Sequence, residues 1–152
     1  MPCPYLLTSL LNRGSQQNNM KLQSKDGEHD FSVFMRVNQR FPEIFSVGLI
    51  YHPKDDPKKI CLLRCNGDHG EHRNHIIGAK PFKGFHIHRA TSEAIDAGEL
   101  PEQFAEITDA YASYEEALIY FFTVINLDDC QRYFAKIYQK QLSIFPEEDL
   151  LK

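Results

Sequence analysis

A change of hydrophobic period near residue 90 constrains this chain more than any other feature. Before it, apolar residues alternate: Phe31, Val33, Met35 and Val37 interleave with Ser32, Arg36 and Asn38, the pattern of a half-buried strand closed by Pro42. Phe45 to Tyr51 and Lys59 to Cys65 read as two more strands, joined by His52-Pro53-Lys54-Asp55-Asp56-Pro57, whose prolines and aspartates favour a hairpin turn. Phe85-His86-Ile87-His88 supplies a fourth. The links are too short for helical crossovers, so the sheet is expected to be antiparallel.

Beyond Arg89 the period becomes 3.6. A short helix from Ser92 to Ala97 is stopped by Gly98, and the stretch around Pro101 reads as irregular. Ser113-Tyr114-Glu115-Glu116 is a capping box, followed by Tyr114, Ala117, Leu118, Phe121, Phe122 and Ile125 on one helical stripe. A second stripe starts at Asp128 or Asp129 and runs through Cys130, Phe134, Ile137, Tyr138 and Gln141, ending before Pro146. The expectation is an α+β fold: an antiparallel sheet of about four strands packed against two C-terminal helices, at 114–126 and 129–142.

With 152 residues, 42% of them hydrophobic, the chain suits one compact domain. Residues 1–30 read as a polar and flexible N-terminal lead, in which Met20 is a candidate second start; residues 31–145 form the α+β domain, and 146–152 an acidic tail. No apolar run approaches the roughly 20 residues of a membrane span, and Pro4-Tyr5-Leu6-Leu7 lacks the form of a signal peptide. A cytoplasmic location with no membrane partner is expected. Cys3, Cys61, Cys65 and Cys130 include no Cys-x-x-Cys pair and read as small buried hydrophobes.

Function is sought in the histidines. His69, His72, His75, His86 and His88 fall within twenty residues, while His29 and His52 are the only others in the chain. Asn66-Gly67-Asp68-His69-Gly70-Glu71-His72-Arg73-Asn74-His75 is rich in turn formers and reads as a loop. In Phe85-His86-Ile87-His88 the alternation puts both imidazoles on one face, with Phe85 and Ile87 packed behind them in the core. Imidazoles from strand and loop that converge can serve a phosphate, a metal ion or a partner's acidic group, because the ring acts as donor, acceptor or ligand near neutral pH.

Charge is unevenly placed within a net −4. Residues 54–89 carry 8 Lys and Arg against 4 Asp and Glu, whereas residues 90–152 carry 4 against 13. A basic, histidine-bearing middle suits phosphate, although the two halves of the chain could equally attract each other. Proton transfer in phosphodiester cleavage would fall to His72, His86 and His88, with Arg64, Arg73 and Arg89 on the phosphate. Alternatively three imidazoles out of His69, His72, His75, His86 and His88, with Asp68 or Glu71, would suit Zn²⁺ or another divalent ion, though no HExxH signature is present.

From Leu62-Leu63-Arg64-Cys65-Asn66-Gly67 through His69 to His75, and on through Phe85-His86-Ile87-His88-Arg89-Ala90-Thr91, the chain resembles a group of small prokaryotic proteins, the TumE-like toxins of toxin–antitoxin pairs and their relatives. These follow a strand with an Asn/Gly/His-rich turn and an HxH element. Tyr111-Ala112-Ser113-Tyr114-Glu115-Glu116-Ala117-Leu118 and its helix look like the end of that pattern. The likeness spans roughly residues 31–127 and departs in the insertion at 92–108 and an extra C-terminal helix. It implies an antitoxin partner and RNA as target. Three readings are therefore expected as alternatives: a toxin-like protein that acts as a ribonuclease through the clustered histidines, a non-enzymatic protein that inhibits or binds a partner, or a protein that holds a divalent metal such as zinc for catalysis or structure.

Overall fold

Backbone pairing builds the fold from one sheet. The structure, a computed structural model, describes residues 8–12, 14–74, 80–96, 98, 100, 104–128, 130 and 134. Among the described residues seven strands are joined in chain order: β1 (Thr8–Asn12), β2 (Ser15–Gln23), β3 (Asp30–Asn38), β4 (Phe45–His52), β5 (Ile60–Asn66), β6 (His86–Arg89) and β7 (Ala105–Ile107). Every neighbouring pair is antiparallel. The fold is thus α+β with an antiparallel meander, and β3 to β6 are the four strands that alternation predicts.

The strand count exceeds the expected four for a physical reason. β2 offers the core only Met20 and Leu22, both buried, amid Gln, Asn and Lys. Two apolar residues are too few to raise a periodic signal, yet they suffice when β3 supplies the backbone partners along nine paired positions. The stretch expected to be a loose lead therefore contains β1 and β2. The three residues of β7 lie in the stretch expected to be irregular, paired to β6 through His86↔Ile107 and His88↔Ala105.

One face of the sheet carries the core. Met20, Leu22, Val33, Met35, Val47, Leu49, Leu63, Cys65 and Ile87 share it, and α2 (Tyr114–Val124) covers it with Ala117, Leu118, Phe121 and Phe122. The predicted cap forms: Ser113 Oγ accepts the Glu116 N–H at 3.2 Å, while the Glu116 carboxylate accepts the Ala112 N–H at 2.7 Å. At the other end Asn126 adopts a left-handed conformation and Leu127 N–H reaches Phe122 O at 3.0 Å, closing the helix in a Schellman turn. A shorter helix, α1 (Ser92–Asp96), ends before Gly98.

Most of the expected second C-terminal helix, 129–142, and the acidic tail lie outside the described residues. Of that segment Cys130 and Phe134 are described: Phe134 N–H donates to Cys130 O at 2.8 Å, and its ring stacks on Phe122 with centroids 4.5 Å apart. Among the described residues no helix is long and apolar enough to cross a membrane.

Candidate metal centre

Strand parity places the first groups. Ile87 faces the core, so His86 and His88 emerge on the opposite face, across from Asn66 and Arg64 of β5 and next to Ile107 and Ala105 of β7. Both imidazoles are buried all the same, at 1% and 4% exposure. Their cover comes from residues 67–74 and 80–85 of the connecting loop, which leaves β5 at Gly67. A Cβ there would lie 1.9 Å from Glu43 O, so only glycine lets the chain pass this close to the start of β4.

Two contacts fold that loop back over the sheet. His72 and Phe82 exchange backbone hydrogen bonds, both 2.8 Å, and so pinch the loop into a narrow pair. Asn74 then uses its side-chain amide as a strand would use its backbone, donating to Ala105 O and accepting from Ala105 N, each at 2.8 Å. With the loop pinned at β7, the His72 ring packs on His86 and His88 while Phe82 closes the side, its centroid 5.3 Å from His72 and 5.7 Å from His86.

The three imidazoles form a nearly equilateral triangle. Ring centroids are separated by 5.2 Å for His72–His86, 5.1 Å for His72–His88 and 5.3 Å for His86–His88. One donor nitrogen from each lies within 4.8 Å of the other two. The group could hold a metal ion. His69 is exposed and stands at the rim, its ring 4.9 Å from His86.

Polar groups behind His86 are satisfied in a defined sense. Asn66, fully buried, accepts Ser46 Oγ–H at 2.7 Å and Arg64 Nε–H at 3.1 Å through Oδ1. Its Nδ2 lies 3.1 Å from His86 Nε2, and His86 Nδ1 lies 2.8 Å from Gly84 O. Gly84 has φ +105°, a conformation that L side chains rarely adopt, and this aims its carbonyl at the ring. Burial holds the His86 pKa below the ordinary imidazole range, and the nearby His69, His72 and Arg64 push the same way, outweighing the Gly84 bond. His86 is therefore a neutral imidazole near pH 7. On the core side the buried Tyr111 hydroxyl sits 2.9 Å from His86 O and 3.2 Å from Asn66 O, tying the backbones of β5 and β6 together beneath the site.

Of the residues singled out in the sequence, the structure gathers His69, His72, His86, His88 and Arg64. His75 lies outside the described residues. Arg73, Asp68 and Glu71 are exposed on the loop. Arg89 is separated from the cluster: it pairs with Leu63, shares the face of Ile87, and its guanidinium donates to the Tyr120 hydroxyl of α2. Ser46, Asn66 and Asn74 are structural parts of the site that the sequence reading did not include. Asn66 was hidden because Asn-Gly reads as a turn; alternation with Leu63 and Cys65 would have placed it beside Arg64 on the histidine face. Cys65 takes no part, since its thiol faces the core and burial pushes its pKa up to about 12.

No family model, curated protein or solved structure matches this chain.

Proposed function

We propose that this chain is a metalloprotein in which His72, His86 and His88 bind one zinc-like divalent ion, leaving a fourth position open for water or substrate. The triangle of imidazoles carries this reading. Zinc lies about 2.0–2.1 Å from a histidine nitrogen, which puts each ring centroid about 3.2 Å from the ion and tetrahedral neighbours about 5.2 Å apart. The centroid separations of 5.1, 5.2 and 5.3 Å match that figure. The donor nitrogens, within 4.8 Å here against about 3.4 Å around a tetrahedral ion, close by turning the rings inward.

The chemistry of the donors supports the same choice. An all-imidazole set suits zinc, cobalt, nickel or copper rather than the oxygen-seeking magnesium and calcium. Ligands must be deprotonated to bind, and His86 is already neutral. Three histidines with an open position are also the set that lowers the pKa of bound water toward neutrality. Arg64 stands on the same face with Nε engaged by Ser46 and Asn66, and among the described residues its terminal amino groups make no hydrogen bond. A guanidinium so fixed favours an anionic substrate.

The resemblance to TumE-like toxins makes a phosphodiester of RNA the proposed substrate, cleaved hydrolytically, and an antitoxin the proposed partner. In this role His72, His86 and His88 are ligands rather than proton carriers. Arg64 is the anion contact, whereas Arg89 faces the helix. Metal analysis of the purified chain tests the reading directly: one equivalent of Zn²⁺ or Co²⁺ bound, and lost in His88→Ala, is the expected outcome. Cleavage of a mixed RNA pool should then vanish with EDTA and return with Zn²⁺. Cleavage that resists EDTA but disappears in His72→Ala would move the site to metal-free acid–base chemistry. Absence of turnover with metal bound would leave a binding protein.

A further inference from the structure

The hydrogen bonds behind His86 fix more than its orientation. Arg64 Nε–H can only donate, so the Asn66 atom 3.1 Å from it is the carbonyl oxygen, and Ser46 Oγ–H donates to the same atom. The other end of that amide, Nδ2, is then the group facing His86 Nε2 at 3.1 Å. An amide nitrogen is a donor only. His86 Nε2 must accept, and the ring proton sits on Nδ1, where Gly84 O receives it at 2.8 Å. The polarity of the whole chain, from Arg64 and Ser46 through Asn66 and His86 to Gly84, has one solution.

A metal ion at His86 needs the lone pair that Asn66 occupies. Nδ1 is held by a backbone carbonyl, the usual outer-shell arrangement for a ligand that binds through Nε2. The His69 and His72 rings pack against the same imidazole, with centroids 4.9 and 5.2 Å away. We infer that Asn66 is a built-in competitor for the metal: its amide occupies the His86 Nε2 lone pair, and an ion binds there only as that amide turns away. This rests on the metal reading proposed above. Because Asn66 is fully buried and anchored through its oxygen by Ser46 and Arg64, the site is closed by a positioned donor rather than by disorder. The amide therefore sets how tightly the centre takes up metal.

The displaced contact is a neutral hydrogen bond, so its removal should tighten Co²⁺ and Zn²⁺ binding by about three- to tenfold. The experiment titrates the full chain with Co²⁺, reading the visible d–d absorption, for wild type, Asn66→Ala and Asn66→Asp. A parallel measurement on wild type alone uses the ¹⁵N shifts of the His86 ring, which report tautomer and do not depend on any variant folding. The expected results are an Nδ1–H tautomer that loses its Asn66 contact on metal addition, tighter binding by Asn66→Ala, and tighter binding again by Asn66→Asp, whose carboxylate adds a ligand. Wild type that binds metal while Asn66→Ala binds equally or more weakly overturns the competitor role and leaves the metal centre standing. An Nε2–H tautomer in the metal-free protein overturns it whatever the titrations give. Binding by Asn66→Ala alone supports it, and binding by none of the three proteins removes both proposals.

Discussion

Replacing Tyr111 with Phe isolates a contact through which the apolar core reaches the histidine site. The ring is 2% exposed and packs among Phe45, Phe85 and Tyr120 with centroids 6.0, 5.9 and 5.8 Å away, and Phe retains all of this. Only the hydroxyl is lost, and with it the proton shared between His86 O at 2.9 Å and Asn66 O at 3.2 Å. A buried hydrogen bond contributes about 1 kcal/mol net, rising to about 3 kcal/mol where the abandoned carbonyls cannot find water. For a chain of 152 residues each kcal/mol moves Tm by about 2–4 °C, so Tyr111→Phe should melt about 2–12 °C lower. Tyr51→Phe is the control: that hydroxyl bonds His29 Nδ1 at 3.1 Å in an exposed position, and its loss should cost under about 0.5 kcal/mol. Thermal and urea unfolding of the three proteins decide the matter. Equal stability of Tyr111→Phe and Tyr51→Phe would refute the claim that β5 and β6 are pinned from below.

Two further outcomes follow from the same packing. Phe121 is fully buried at the centre of the helix–sheet core, so Phe121→Asp places a charge where no partner exists among the described core residues and should abolish the folded state by circular dichroism; a variant with unchanged Tm would remove α2 from the core. Acid should also destabilise the protein through His86. Its folded pKa is depressed, so the native state binds fewer protons than the unfolded chain: the contribution is fully present above the unfolded value of about 6.5 and is lost as pH falls below it. The geometry agrees in sign, because a proton on Nε2 would face the Asn66 N–H. His52, also depressed by burial, adds the same slope, so the measurement is the difference in Tm against pH between wild type and His86→Gln. A wild type that gains stability toward pH 5 relative to the variant has the sign wrong.

How far the fold was legible depended on where the apolar residues sit. β3 to β6 and α2 declare themselves because each presents one continuous apolar face, and the Ser113 cap and the 53–59 turn follow from local chemistry. β2 does not, because its pairing with β3 is carried by the backbone and only Met20 and Leu22 need burial. The histidine cluster was visible as composition but not as geometry. What assembles it is the Asn74–Ala105 clamp, spanning 31 positions in sequence, and the His72–Phe82 pair, neither of which has a local signature. Arg89 is the opposite case. Alternation along His86-Ile87-His88-Arg89 already put it on the core side, and grouping it with the histidines set charge above parity.

Parity also explains why the site needs the core to be as well packed as it is. A shift of β6 by one residue against β5 would exchange Ile87 with the imidazoles, burying two polar rings under α2 and opening the Ser46–Asn66–Arg64 network to an apolar side chain. Burying polar groups without partners costs several kcal/mol each, so the core selects the register in which His86 meets Asn66. That register then fixes the tautomer, through a donor in β5 and an acceptor in the loop at Gly84. The tautomer at the proposed metal centre is thus set by strand pairing, with Tyr111 on the far face bonding the backbone carbonyls of Asn66 and His86, the two residues whose side chains meet there. Cluster chemistry and core stability are consequently coupled: a substitution that loosens the β5–β6 register from the helix side alters the imidazoles without touching them.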